Sequence, residues 1–160
     1  AKERWILYRS YFRLVYPQAT VPEGEANNPY LLSLPEYSKD KLGFNVAILT
    51  LQFIYLLERG ETEALLYRIE SIKKYVSTHL KDAFSLRSKL FLKLLVLSVT
   101  EDYEAEVCRT KGESLYKKLM DTPAPGDAYA EIEIVPYEHL WDLILQILAK
   151  AEANTKARTR

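Results

Sequence analysis

The stretch that decides the fold is residues 44–57, FNVAILTLQFIYLL. Only Asn45, Thr50 and Gln52 are clearly polar in it, and these three do not share one face of a helix. A helix that is apolar all round is normally buried on every side. The run is also shorter than the roughly 20 residues that a membrane span needs. We therefore expect residues 44–57 to form the central, buried helix of a helical domain.

Composition sets the class of protein but points to no chemistry. The 160 residues fit one domain, and 22 Lys and Arg balance 22 Asp and Glu, so the basic footprint of a duplex-binding domain is missing. Cys108 is the one cysteine, which excludes an internal disulfide and, with no secretory signal at the start, favours the cytoplasm. Because Ala1 lies directly before an apparent helix, we expect the chain to be part of a longer polypeptide.

Two helical hairpins are predicted, over residues 42–81 and 84–121. In the first, Gly60 supplies the stop after the central helix, and a one-sided stripe follows, formed by Leu65, Ile69, Ile72, Val76 and Leu80. In the second, the apolar run LRSKLFLKLLVLSV turns at residues 101–102 into an amphipathic helix. Gly112 lies in the middle of that helix, where glycine is less favourable than alanine. We therefore expect it to mark either a close approach of another helix or a locally weak point in the helix itself.

Flanking helices are predicted at residues 2–16 and 137–152. The first is amphipathic: its apolar residues recur at helical spacing and its arginines lie elsewhere, and Pro17 ends it. Two proline-containing breaks are predicted, residues 17–41 and 121–136. The second half of the first is expected to lie along the surface as an extended strap or a short helical turn. In the second, residues 131–134 are expected to form an extended strap whose Ile132 and Ile134 pack into the helical body. Ser38 or Asp40, and Asp82 or Ser85, are the candidate helix caps.

The two hairpins repeat at a step of 42 residues, from Ser38-Lys39-Asp40 to Leu80-Lys81-Asp82. The run LLERGETEALLYRIESIKKY resembles a tetratricopeptide repeat turn, with Gly60 and Ala64 as the small residues near the corner, and Ala105 matches the second small position in the next unit. This resemblance implies a TPR-like superhelix over residues 38–120. The segments SKDKLGFN and EIEIVPYEHLW are similar to the C-terminal helical region of uncharacterised bacterial proteins, which implies no activity.

No catalytic, cofactor or metal constellation emerges. His79 and His139 are far apart, Cys108 lies on an apolar face, and the glycines form no phosphate-binding loop. Glu131 and Glu133 share one face of an extended segment, which we interpret as a solvated strand face; the alternative is an acidic patch for a basic partner. An enzyme would require a buried cluster drawn from Arg87, Lys39, Asp40, Glu133 and His139.

The sequence therefore predicts an all-α fold of stacked antiparallel helical hairpins with extended straps. Its expected function is a non-catalytic protein-interaction or scaffold module, without cofactor, whose partner is a protein or peptide. Stacked hairpins present such surfaces, and loops on a rigid scaffold often carry function. The candidate partner-binding residues are Tyr37, Lys39, Lys41, Tyr137 and Glu138. A homo-oligomer is a further possibility, since Tyr-rich seams suit interfaces.

The alternative is a regulatory, nucleic-acid-associated domain. It would use a basic and aromatic strip on the first helix and a basic tail. The strip consists of Arg4, Arg9 and Arg13 with Tyr8, Tyr11 and Tyr16, and the tail carries Lys150, Lys156, Arg158 and Arg160.

Overall fold

The computed structural model describes residues 2–18, 42–79, 86–124 and 133–159. Within these ranges the chain forms six α-helices and no strand, which confirms the all-α prediction. The helices are α1 (Lys2–Val15), α2 (Leu42–Glu58), α3 (Thr62–His79), α4 (Leu86–Thr100), α5 (Ala105–Asp121) and α6 (Tyr137–Arg158).

Helix α2 is the buried centre that its sequence predicts. Ten consecutive positions, 45–54, are buried, and α2 packs on α1, α3, α4 and α6. A helix with neighbours on all sides needs apolar side chains on all sides, and the sequence supplies them. The polar exceptions Asn45, Thr50 and Gln52 are buried with the rest.

The first hairpin corner forms as its glycine predicts. Gly60 has a φ of +67°, a conformation that favours glycine. Its N–H donates to the carbonyl of Leu57 (3.1 Å), and the N–H of Glu61 donates to that of Leu56 (3.1 Å). These two bonds satisfy carbonyls that have no donor within the helix at the end of α2. Helix α2 therefore ends here, and α3 runs back along it.

The second corner makes the same turn without glycine. Asp102 and Tyr103 have φ values of 54° and 61°, which side chains with a Cβ rarely adopt. The N–H of Tyr103 donates to the carbonyl of Ser98 at 2.9 Å. This corner therefore carries backbone strain that the packing of α4 against α5 holds in place.

Gly112 marks a close approach of three helices, one of the two alternatives for this residue. A Cβ added there would lie 3.0 Å from Leu94 Cδ2 and 3.2 Å from Leu97 Cδ2 on α4, and 3.3 Å from Trp141 Cζ2 on α6. Glycine thus lets α5 sit between α4 and α6. Leu119 on α5 and Trp141 on α6 are both buried.

The helix starts and ends repeat along the chain. The first residues of α2 and α4 are 44 positions apart, and their last residues are 42 apart. For α3 and α5 the corresponding separations are 43 and 42 positions. Consecutive helices from α2 to α6 pack on one another. The tripeptides on which the predicted step rests, and the four candidate cap residues, lie outside the described residues.

The second break and the last helix depart in part from prediction. Ile134 is half-buried and packs against the core, as expected of the strap, whereas Ile132 lies outside the described residues. Helix α6 continues beyond the predicted residue 152 to Arg158, and its last turns are exposed. None of the helices in the described ranges has the length and apolarity needed to cross a bilayer.

Candidate functional site

The most concentrated polar chemistry lies around Arg87, in the first turn of α4. Its Nε and Nη2 donate to the two carboxylate oxygens of Glu133 at 3.0 and 2.7 Å, a bidentate pair. Nη2 also donates to Glu138 Oε2 at 2.5 Å, and Nη1 donates to the carbonyls of Leu119 (2.7 Å) and Thr122 (2.8 Å). We call these five residues the Arg87 node.

The node joins three parts of the chain. Arg87 lies in the first turn of α4. Leu119 lies in the last turn of α5 and Thr122 directly follows that helix, and Glu133 and Glu138 lie on either side of the first residue of α6. Glu133 Oε1 also accepts the N–H of Tyr137 at 2.7 Å, so it caps α6, whose preceding residue is a proline without a capping side chain. The expectation that Glu133 is solvated is wrong: its side chain is 8% exposed, because it neutralises a buried guanidinium.

The node holds no free donor for a ligand. A guanidinium has five N–H bonds, and here all five are directed at protein oxygens. The hydrogen bonds that Arg87 donates to Glu133 raise the pKa of Arg87 above its usual value, against the opposing effect of burial, so the side chain stays charged. Of the five residues named for a possible enzyme, Arg87 and Glu133 meet, His139 is exposed, and Lys39 and Asp40 lie outside the described residues.

The candidate partner-binding residues fall into two groups. Tyr37, Lys39 and Lys41 lie outside the described residues. Tyr137 is buried: its ring stacks on Phe91 with centroids 4.6 Å apart, and its hydroxyl lies 2.9 Å from Ser88 Oγ. Glu138 is 25% exposed and is bound to Arg87. That Tyr137 and Glu138 contact a partner stays a prediction; what is observed is their part in helix packing.

Cys108 is a core residue. It is fully buried, its thiol lies 3.9 Å from the carbonyl of Ser98, and burial raises its pKa to about 11. A thiol with a raised pKa is a poor nucleophile at neutral pH. Among the described residues, no three His, Cys, Asp or Glu side chains are grouped to hold a metal ion.

A second feature is the outer face of α1. An amphipathic helix normally turns its apolar stripe to the core, yet here the stripe is on the surface. Trp5, Phe12 and Tyr16 are 63%, 54% and 59% exposed, and Tyr8 and Val15 are exposed as well. At 100° per residue the five side chains span an arc of about 100° on the helix. We call these five residues the α1 outer stripe.

The buried face of α1 is a second, shorter pattern. Leu7 and Tyr11 are buried and Leu14 is half-buried, at spacings of four and three residues. The Tyr11 hydroxyl donates to the carbonyl of Ala47 on α2 at 2.6 Å, and burial raises the pKa of this phenol. The predicted basic and aromatic strip includes Tyr11, which is buried instead. The spacing of Leu7, Tyr11 and Leu14 is the signal in the sequence for this second apolar face.

The start of α3 carries the other exposed apolar pair. Leu66 and Tyr67 are 58% and 67% exposed, and Glu63 and Glu70 lie one turn to either side on the same face. We call these four residues the α3 patch. Of the nine large hydrophobic side chains that are exposed in the described residues, seven belong to the α1 outer stripe or the α3 patch. Exposed apolar surface is therefore concentrated at two places.

Arginine surrounds the α1 outer stripe. Arg4 lies along one edge of the stripe, and Arg9 and Arg13 lie along the other. Across α1 the sequence has four basic residues and one acidic residue. The stripe is thus an aromatic surface in a basic setting. A search of protein-family models, curated proteins and solved structures found no match to this chain.

Proposed function

We propose that this chain is a non-catalytic protein-interaction module, and that it binds its partner through the α1 outer stripe. The single observation that carries the proposal is that stripe: three aromatic rings are more than half exposed on one side of the chain, two of them on α1 and the third, Tyr16, directly after its last residue. Contiguous exposed apolar surface rimmed by polar residues is typical of interaction sites. Aromatic residues and arginine are also the side chains that most often dominate binding energy at interfaces.

The charge around the stripe defines the chemistry of the partner. Arg13, which is exposed at one edge of the stripe, favours a partner surface that places a carboxylate beside its apolar side chains. A partner helix with anchors at three- and four-residue spacing would match the roughly 17 Å between the ends of the stripe. The Arg87 node is not part of this surface: it fixes α4, α5 and α6 to one another, whereas the stripe lies on α1, which packs on α2.

We further propose the finer architecture: a TPR-like stack of the hairpins α2–α3 and α4–α5. Its support is the recurrence of helix bounds at 42–44 residues and the sequential packing of the helices. Such stacks serve as binding scaffolds in many proteins. The cytoplasm remains our proposed location, because the one cysteine is buried as a free thiol.

A display selection tests the interaction function. A library of random 15-residue peptides is selected on the wild-type chain and on a Trp5→Ser, Phe12→Ser variant, with Met120→Ser as the matched control because Met120 is 58% exposed elsewhere. We expect enriched peptides to carry carboxylates around apolar anchors and to bind the wild type and the control at least tenfold more tightly than the stripe variant. No enrichment, or equal binding to the stripe variant, contradicts the proposal.

A second candidate function, association with single-stranded nucleic acid, is favoured by one observation: Trp5, Tyr8 and Tyr16 expose their rings beside the arginines of α1. Bases stack on such rings and phosphates attract arginine. Fluorescence anisotropy with a labelled single-stranded oligonucleotide tests it. Binding that weakens steeply between low and high salt would support this candidate, and no binding at low salt would remove it.

A further inference from the structure

Helix α1 carries the same apolar spacing twice, displaced by one residue. Its buried face has spacings of four and three residues and consists of Leu7, Tyr11 and Leu14. The residues that directly follow these three belong to the α1 outer stripe and are exposed: Tyr8, Phe12 and Val15. We call them the offset face. One pattern therefore contacts α2, and its copy lies in water.

A small movement exchanges the two faces. Neighbouring residues of an α-helix are about 100° apart around the axis and about 1.5 Å apart along it. Rolling α1 by one residue therefore places the offset face where the buried face lies now. Phe12 takes the place of Tyr11, from which it differs by one hydroxyl, and Tyr8 and Val15 take the places of the two leucines. The three side chains have a similar total size, and changes that conserve volume and hydrophobicity are tolerated best in a packed contact.

The movement brings no arginine of α1 to the centre of the contact. Arg9 and Arg13 lie about 90° and about 130° from the centre of the offset face, and Arg4 lies about 50° from it. At such an edge the stem of an arginine packs on apolar surface while its guanidinium stays in water. The contact that distinguishes the observed position is the hydrogen bond from the Tyr11 hydroxyl to the carbonyl of Ala47, at 2.6 Å.

Among the described helices, α1 packs chiefly on α2, so the movement rearranges one main contact. We infer that α1 docks on α2 in two registers, and that a partner bound to the α1 outer stripe holds it in the register with Leu7, Tyr11 and Leu14 buried. This inference rests on the proposed function, because the offset face is open to a partner only in that register. The apparent affinity for the partner then scales with the fraction of molecules in it.

Tyr11→Phe in the full chain tests the inference. Tyr11 is 2% exposed, so the substitution alters no surface that a partner at the stripe can touch, yet it removes the hydrogen bond of the observed register. Relaxation dispersion of the α1 backbone amides detects exchange on the microsecond to millisecond timescale. We expect such exchange in the wild type without peptide, and a minor population that rises about two- to tenfold in Tyr11→Phe, as the loss of one neutral hydrogen bond predicts.

Phe12→Lys separates a roll from an undocking of α1. Phe12 is exposed in the observed register, so a lysine is tolerated there, but the second register would bury its charge against α2. The variant should therefore abolish the exchange. Met120→Lys is the matched control, because Met120 is also exposed and lies on α5, and it should leave the exchange unchanged. Circular dichroism confirms that each variant is folded.

The peptides enriched in the display selection give a second readout. Their binding to Tyr11→Phe should weaken in proportion to the minor population that relaxation dispersion measures. Absence of exchange in both the wild type and Tyr11→Phe overturns the inference, and so does exchange that persists in Phe12→Lys, since α1 would then be undocking rather than rolling. If the peptides bind but no exchange is found, the proposed function stands and the second register is wrong. If the exchange behaves as expected but no peptide binds, the two registers stand and the proposed function is wrong.

Discussion

Arg87→Met is the substitution whose consequence follows most directly from the structure. It removes the guanidinium and leaves the carboxylate of Glu133 charged, with 8% of its side chain exposed to water. The carbonyls of Leu119 and Thr122 lose a charged donor at the same time. Methionine fills most of the volume, so the change isolates the loss of charge and hydrogen bonds from the loss of packing.

The expected cost is about 3–5 kcal/mol of unfolding free energy, which is typical for leaving one partner of a buried ion pair uncompensated. That is a large part of the roughly 5–15 kcal/mol that stabilises most proteins. For a chain of this size it corresponds to a fall in Tm of roughly 10 °C. Glu138 contributes less to the cost because water reaches a quarter of its side chain.

Urea unfolding followed by circular dichroism measures the effect. Arg109→Met is the matched control: Arg109 is 59% exposed and lies 3.4 Å from Glu106, so its loss should cost less than about 1 kcal/mol. Adding Glu133→Gln to Arg87→Met should recover part of the loss, whereas Glu133→Gln alone should destabilise. Hydrogen exchange at the Tyr137 amide, which bonds Glu133, should accelerate in Arg87→Met. Destabilisation below 1 kcal/mol, or no recovery in the double variant, refutes the reasoning.

Three further predictions concern single positions. Gly112→Val should destabilise by about 1–3 kcal/mol in thermal unfolding, because its side chain would overlap three packed neighbours, whereas Gly112→Ala should lie much closer to wild type. Asp102→Gly should stabilise by roughly 0.5–1 kcal/mol by relieving a positive φ, and an unchanged or lower Tm would contradict this. Cys108 should not react with a thiol reagent at pH 8 until the chain unfolds. Because its pKa is higher when folded, stability should fall as pH rises from 9 towards 11, and less so in Cys108→Ala.

Members of the Arg87 node could be singled out from the sequence, but their contact with one another could not. Arg87 and Glu133 stand out in the sequence as charged residues beside apolar segments, but they are 46 residues apart, and Glu138 is 51 residues from Arg87. Sequence spacing does not reveal contacts between separate elements, so the meeting of these three residues follows only from the docking of α4, α5 and the start of α6.

By itself the sequence determined the local structure of the described chain. The unbroken apolar run made α2 a buried helix, Gly60 ended it, and the stripe of α3 defined the face that packs on it. Each of these follows from interactions within a few residues, where side-chain type and spacing decide the outcome.

Only the tertiary structure decided which face of α1 is buried. The helix carries two apolar patterns, Trp5–Tyr8–Phe12 and Leu7–Tyr11–Leu14, and either could have packed on α2. The hydroxyl of Tyr11 reaches the carbonyl of Ala47, and that contact accompanies burial of the smaller pattern. Burial of one face depends on the neighbouring surface as much as on the helix, and so the larger aromatic pattern stays exposed.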